Sequence, residues 1–102
     1  MSSIEDTFHN DMLAIYTKSG RSVGYWPHRF LSKVKRSGGV NSAKYWLEKK
    51  GVSEGFKRLA RENKLELAME RLILRPEYRE LFSEPERGIA RQRLKDFGYK
   101  AS

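Results

Sequence analysis

The sequence predicts an all-α fold, a compact single domain of six to seven short helices. Apolar residues recur at helical spacing in each segment between breakers. Ser, Pro and Gly stand where helices should start and stop. No stretch alternates apolar and polar residues with turn chemistry on both sides, so no strand is expected.

The first helix is predicted from about residue 4 to residue 18. Phe8, Met12 and Ile15 lie at i, i+4 and i+7, and Ser3 with Asp6 forms a capping pair. The run Ser19-Gly20-Arg21-Ser22-Val23-Gly24 is expected to stop that helix and form a loop. Pro27 suits the first position of a second helix, where its missing N–H leaves no partner wanting. Phe30, Leu31 and Val34 give it an inward stripe, and Ser37-Gly38-Gly39 ends it. A third helix over about 40–50 points Val40, Ala43, Trp46 and Leu47 inward, and Gly51 closes it. Ser53 caps a fourth over about 54–63, with Phe56, Leu59 and Ala60 inward.

A fifth helix is expected over about 65–74, burying Leu65, Ala68, Met69, Leu72 and Ile73 until Pro76 interrupts it. Residues 76–82 suit one or two helical turns. The capping box Ser83 to Glu86, with Pro85 in the first turn, starts a last helix that runs to about Phe97. Ile89, Ala90, Leu94 and Phe97 are its expected core residues, and Gly98 its C-cap. The 102 residues read as one domain, ordered over about 4–99, with Met1–Ser2 and Lys100–Ser102 fraying.

Composition narrows the function classes. Without cysteine there is neither a disulfide framework nor a cysteine zinc site. The start, Met1-Ser2-Ser3-Ile4-Glu5-Asp6, lacks the basic and apolar regions of a secretory signal. No apolar run reaches the length of a membrane span, so a cytoplasmic protein without a membrane partner is expected.

The net charge is +8, and it is concentrated. Residues 1–12 carry −3, residues 13–50 carry +8 and residues 51–102 carry +3. A polyanionic partner is the functional reading of such a balance, and solubility alone is the plain one. On the second helix Arg29, Lys33 and Arg36 fall at i, i+4 and i+7, opposite Phe30 and Val34. Such a stripe can track a phosphate backbone, because each contact releases a condensed counterion.

Lys57, Arg61 and Lys64 repeat the arrangement on the fourth helix, where Glu54 and Glu62 offset part of it. Arg87, Arg91 and Lys95 on the last helix read as a solvated face beside Glu84, Glu86 and Asp96. Tyr25, Trp26, Tyr45 and Trp46 are the aromatic residues nearest the basic stretch; Trp46 reads as core, and Tyr25 or Trp26 as an exposed stacking face. The candidate nucleic-acid-binding set is therefore Arg29, Lys33, Lys35, Arg36, Lys44, Lys49 and Lys50, with Tyr25 and Trp26.

Catalysis has little to draw on. His9 and His28 stand apart, with no metal-ligand spacing to another side chain. His9 reads as a surface or helix-packing residue, and His28 as a phosphate contact or part of a helix start. Glu66 and Glu70 lie one turn apart and read as ordinary helix-face acids beside Lys64 and Arg71. No phosphate loop, dinucleotide fingerprint or nucleophile elbow is present. The expectation is a non-enzyme with no cofactor, no metal and no small-molecule substrate evident. Helix, Gly51-Val52-Ser53, helix is similar to a helix-turn-helix reader, but Leu47 occupies the place of its usual small residue.

The order Met12-Leu13…Ile15-Tyr16, Gly24-Tyr25…Arg29-Phe30-Leu31, Gly38-Gly39-Val40…Ala43-Lys44 resembles a small bacterial helical family without an assigned activity. The likeness continues through Gly55-Phe56…Leu59, Leu65-Glu66-Leu67…Glu70, Pro76-Glu77-Tyr78…Leu81-Phe82, Ala90-Arg91…Leu94 and Gly98-Tyr99. It implies a bacterial or phage origin and one self-contained domain, and it implies no site residues. Two functions remain. One is a nucleic-acid-binding accessory protein gripping DNA or RNA phosphates. The other is an adaptor docking an acidic surface of a larger protein.

Overall fold

A computed structural model describes residues 3–99. The expectation for the chain ends lies outside them. Among the described residues there are six α-helices, two 3-10 turns and no strand. The helices are α1 (Ile4–Val23), α2 (His28–Ser37), α3 (Gly39–Glu48), α4 (Glu54–Arg61), α5 (Met69–Ile73) and α6 (Glu84–Asp96). The 3-10 turns are Leu65–Leu67 and Pro76–Leu81. The radius of gyration, 12.6 Å, is that of one folded domain of this length. No helix among the described residues is long and apolar enough to cross a membrane.

Local signals set the helix ends. Ser3 and Asp6 form a reciprocal capping box on α1, and Ser83 and Glu86 form another on α6. Ser53 Oγ accepts the Phe56 N–H at 3.1 Å and caps α4. Pro27 precedes α2, with its carbonyl accepting the first helical bond from Leu31. Gly98 takes the left-handed conformation after α6.

The helix α1 is the central strut, packed on α2, α3, α5 and the second 3-10 turn. It does not stop at Lys18. Ser19 to Val23 are helical, and Gly24 (φ 71°) supplies the left-handed cap. Gly20 stays in the helix because the Trp26 indole lies against it. A Cβ there would sit 2.2 Å from the ring. The larger core joins Phe8, Met12 and Ile15 of α1 to Val34, Ala43, Leu47, Leu72 and Ile73. Within it the Phe8 ring meets Tyr78 and Phe82 edge-on, at 5.0 and 5.2 Å. A second cluster gathers Phe56, Leu59, Leu65, Ala68 and Leu94.

The expected fifth helix is two elements. Its inward residues are all buried, but Ala68 is extended and divides a 3-10 turn from α5. The break hands the chain from the second cluster, which takes Leu65 and Ala68, to the first, which takes Met69, Leu72 and Ile73. Glu70 is buried, not a helix-face acid.

On α6 the inward stripe is Arg87, Ala90, Arg93 and Leu94, while Ile89 and Phe97 are exposed. The expected solvated face therefore loses Arg87, whose nearest carboxylate is Glu84, 3.6 Å from Nε. The helix-turn-helix reading also falls. The main packing of α4 is on the first 3-10 turn and not on α3, as the two helices of such a motif require.

Two polar contacts pin α1. His9 Nδ1 accepts the Gly39 N–H at 2.9 Å, making His9 a packing residue at the start of α3. Tyr78 donates its phenolic O–H to Asp11. Burial, reinforced by that carboxylate, pushes the Tyr78 phenol up to about 12. The folded phenol therefore keeps its proton to about pH 12, while the unfolded chain releases it near 10. Stability from this group is full below pH 10 and lost as pH rises to 12, a fall of about 3 kcal/mol. Urea denaturation across that range should show the decline in the wild type and a shallower one in Tyr78→Phe.

Candidate nucleic-acid interface

The periodicity of α2 puts Val34 into the core and turns the opposite face outward. On that face Arg29, Lys33 and Arg36, with His28 and Ser32, line a shallow groove of about 440 Å³ whose remaining wall is Tyr45 and Trp46 of α3. Phe30 stacks on Trp46 with ring centroids 5.0 Å apart and an interplanar angle of 14°, which fixes α2 against α3. The Ser42 hydroxyl, fully buried, donates to the Lys33 carbonyl at 3.0 Å and adds a second tie. The groove is therefore a rigid product of helix packing, not a loop surface.

Arg29, Lys33 and Arg36 have no ion pair among the described residues, nor have Lys35, Lys49 and Lys50. Tyr45 is 40% exposed and carries two ammonium groups over its ring, Lys33 at 4.1 Å and Lys49 at 4.5 Å from the centroid. The Lys49 ammonium, through a hydrogen bond and its charge, holds the Tyr45 phenol below its usual range, and Lys33 adds to the effect. Flexible lysines parked on an exposed ring can swing to phosphates and leave the ring open for a base.

Other members of the sequence-derived set lie elsewhere. Lys35 is exposed on α2 but does not line the groove, since it is two residues out of phase with Lys33. Lys44 is spent on Glu86, at 2.9 and 3.2 Å, and lies over the Phe82 ring. Burial would raise the Glu86 carboxyl, but the Ser83 N–H and Lys44 outweigh it and hold it low. Lys49, Lys50, Tyr25 and Trp26 line a second, deeper opening, which Arg29, His28 and Trp46 share with the groove.

Tyr25 is half-buried against Gly55, with the Arg58 guanidinium 5.8 Å from its ring centroid. Trp26 is 42% exposed and leans on Gly20 and Tyr16. His28 Nδ1 lies 3.1 Å from the Tyr16 hydroxyl, so His28 belongs to both the helix start and the groove wall. On α4, Lys57 reaches Glu54 and Arg58 reaches Glu62. Arg61 and Lys64 are exposed away from both openings.

Sequence reasoning missed Tyr45 as the platform of the groove. The signal was its phase: Ala43 and Leu47 are buried, so Tyr45 between them must face out. It also missed the Arg93–Glu70 pair, which carried no periodic signal. Arg93 Nη1 donates to Glu70 Oε2 at 3.0 Å, and its Nη2 donates to the carbonyls of Trp46 and Lys49 at 3.0 and 2.8 Å. One buried arginine thus caps the end of α3 and sets the segment that carries Lys49 and Lys50. Burial pushes the Glu70 carboxyl up, against the opposing pull of Arg93.

The fold and the groove define a small helical domain with a basic, aromatic-floored face. No family model, no curated protein and no solved structure matches the chain.

Proposed function

We propose that the chain is a non-catalytic nucleic-acid-binding protein that grips phosphates along the groove between α2 and α3. One observation carries this reading: three cations without acidic partners among the described residues, Arg29, Lys33 and Arg36, line one rigid groove beside an exposed tyrosine. The guanidinium groups suit phosphate oxygens, and the ring suits an unpaired base. Contacts of this kind position a strand without reading its sequence, so binding should be nearly indifferent to sequence. The cytoplasmic location expected from the sequence would place the protein among such ligands.

Reversing all three charges, in Arg29→Glu/Lys33→Glu/Arg36→Glu, should abolish measurable binding to a labelled oligonucleotide and leave the helical circular dichroism unchanged. Neutralising them to Gln should lower the log–log salt slope by about 2 to 3, near 0.7 to 0.9 for each phosphate released from a cation. Unchanged binding in the reversed variant would remove the groove from the interface. A complex with an acidic protein that survives nuclease and needs the same three residues would make the groove a protein-docking surface instead.

A further inference from the structure

We propose that the deeper opening is a binding chamber for a flat, apolar organic anion, an aromatic ring system bearing one acidic group. It shares His28, Arg29 and Trp46 with the phosphate groove and adds a depth of its own. The chamber has a volume of about 560 Å³, within the range of small-molecule sites. Its depth is apolar, with Ile15, Phe30, Phe56, Leu59, Ala68 and Met69 in the wall, and the Trp26 and Trp46 indoles stand on the same lining.

Two observations make it more than a gap. Ser19 is 1% exposed, lines the chamber, and its Oγ has no hydrogen-bond partner among the described residues. A buried hydroxyl left unpaired carries a desolvation penalty that one polar atom of a ligand would remove. Glu70 and Arg93 also line it, 4% and 9% exposed, and their mutual pairing leaves that wall without net charge. The wall therefore favours a neutral ring body in the depth.

The exposed side chains on the same lining mark the mouth, and they are unbalanced. Arg29, Lys49 and Lys50 face a single acid, Glu54, which already reaches Lys57 at 3.5 Å. The acidic group of the ligand would sit there. Sequence reading offered no sign of a small-molecule site, because its walls come from all six helices and the loops before α2 and α4.

The test uses anilinonaphthalene sulfonate, a flat aromatic anion, with anilinonaphthalene as its uncharged counterpart. The wild type should bind the sulfonate saturably, and the indole N–H resonances of Trp26 and Trp46 should both shift. Lys49→Gln/Lys50→Gln should weaken binding about tenfold, the equivalent of removing one or two charge-assisted hydrogen bonds. Ser19→Leu fills the chamber and should abolish dye binding while leaving oligonucleotide binding at wild-type strength, which separates this site from the phosphate groove. Equal affinity for the uncharged compound, unshifted indole signals, or undiminished dye binding in folded Ser19→Leu would each overturn the proposal. Should Ser19→Leu fail to fold, the wild-type indole shifts and the charged-versus-uncharged comparison decide it.

Discussion

Arg93→Met is expected to destabilise the fold by about 3–5 kcal/mol, the usual consequence of removing one partner of a buried ion pair. Domains of this size have about 5–15 kcal/mol in total, so the variant should stand close to its unfolding midpoint. The physical reason is twofold. Glu70 would keep its burial and lose its counter-charge, so desolvation would push its carboxyl further up. At the end of α3 the Lys49 carbonyl would lose its donor, and the Trp46 carbonyl would keep only the Lys49 N–H.

The two parts are separable. Glu70→Leu/Arg93→Met removes the unpaired buried carboxyl and leaves only the carbonyls that the guanidinium served, so it should recover about half of the loss. The variant's deficit should also shrink in acid, where the unfolded-state carboxyl is protonated as well and the difference between the states disappears. Urea denaturation followed by circular dichroism, at neutral and acidic pH, measures all three effects. A loss below about 1 kcal/mol in Arg93→Met would contradict the assigned role.

The second large effect is expected at Gly39. It is buried at the start of α3 where that helix crosses α1, and a Cβ would lie 2.7 Å from the His9 Cα. That neighbour is backbone, so no rotamer change relieves the clash. Gly39→Val should cost about 2–4 kcal/mol, combining overpacking with the loss of the Gly39 N–H bond to His9. Gly88 is the internal comparison: it lies within α6, where an added Cβ would meet none of the described residues within 4 Å. There Gly88→Ala should stabilise the protein by about 0.5–1 kcal/mol through helix propensity. Melting temperatures of the two variants should move in opposite directions.

Much of the fold was legible in the sequence because it is written locally. The capping residues Ser3, Ser53 and Ser83, the proline before α2, and the stripes Phe8-Met12-Ile15 and Leu65-Ala68-Met69-Leu72-Ile73 all act within a turn or two. Ser19-Gly20 misled for the opposite reason. The glycine serves a distant ring, Trp26, that only the folded chain brings to it. On α6 hydropathy chose Ile89 and Phe97, whereas the true stripe Arg87-Ala90-Arg93-Leu94 has two arginines in it. Arg93 can be inside because Glu70, 23 residues away, is inside too, and no periodicity announces such a pair.

The candidate site divides along the same line. The stripe Arg29-Lys33-Arg36 follows from helix phase alone, and the groove collects all three. Lys44 looked equivalent in sequence but finds Glu86, 42 residues on. The chamber is a property of packing between elements, and a single strand of letters carries no measure of empty volume.

Fluorescence anisotropy of the wild-type protein with labelled single-stranded DNA, duplex DNA and RNA, titrated across salt concentration, tests whether the chain grips phosphates. The predicted result is saturable binding that weakens as salt rises, with a log–log slope of about −2 or steeper for at least three phosphate contacts. Single strands should be preferred, because their unpaired bases can reach Tyr45. No binding to any of the three at low salt would contradict the phosphate-gripping role and leave the basic groove as a solubility feature or a protein-docking surface.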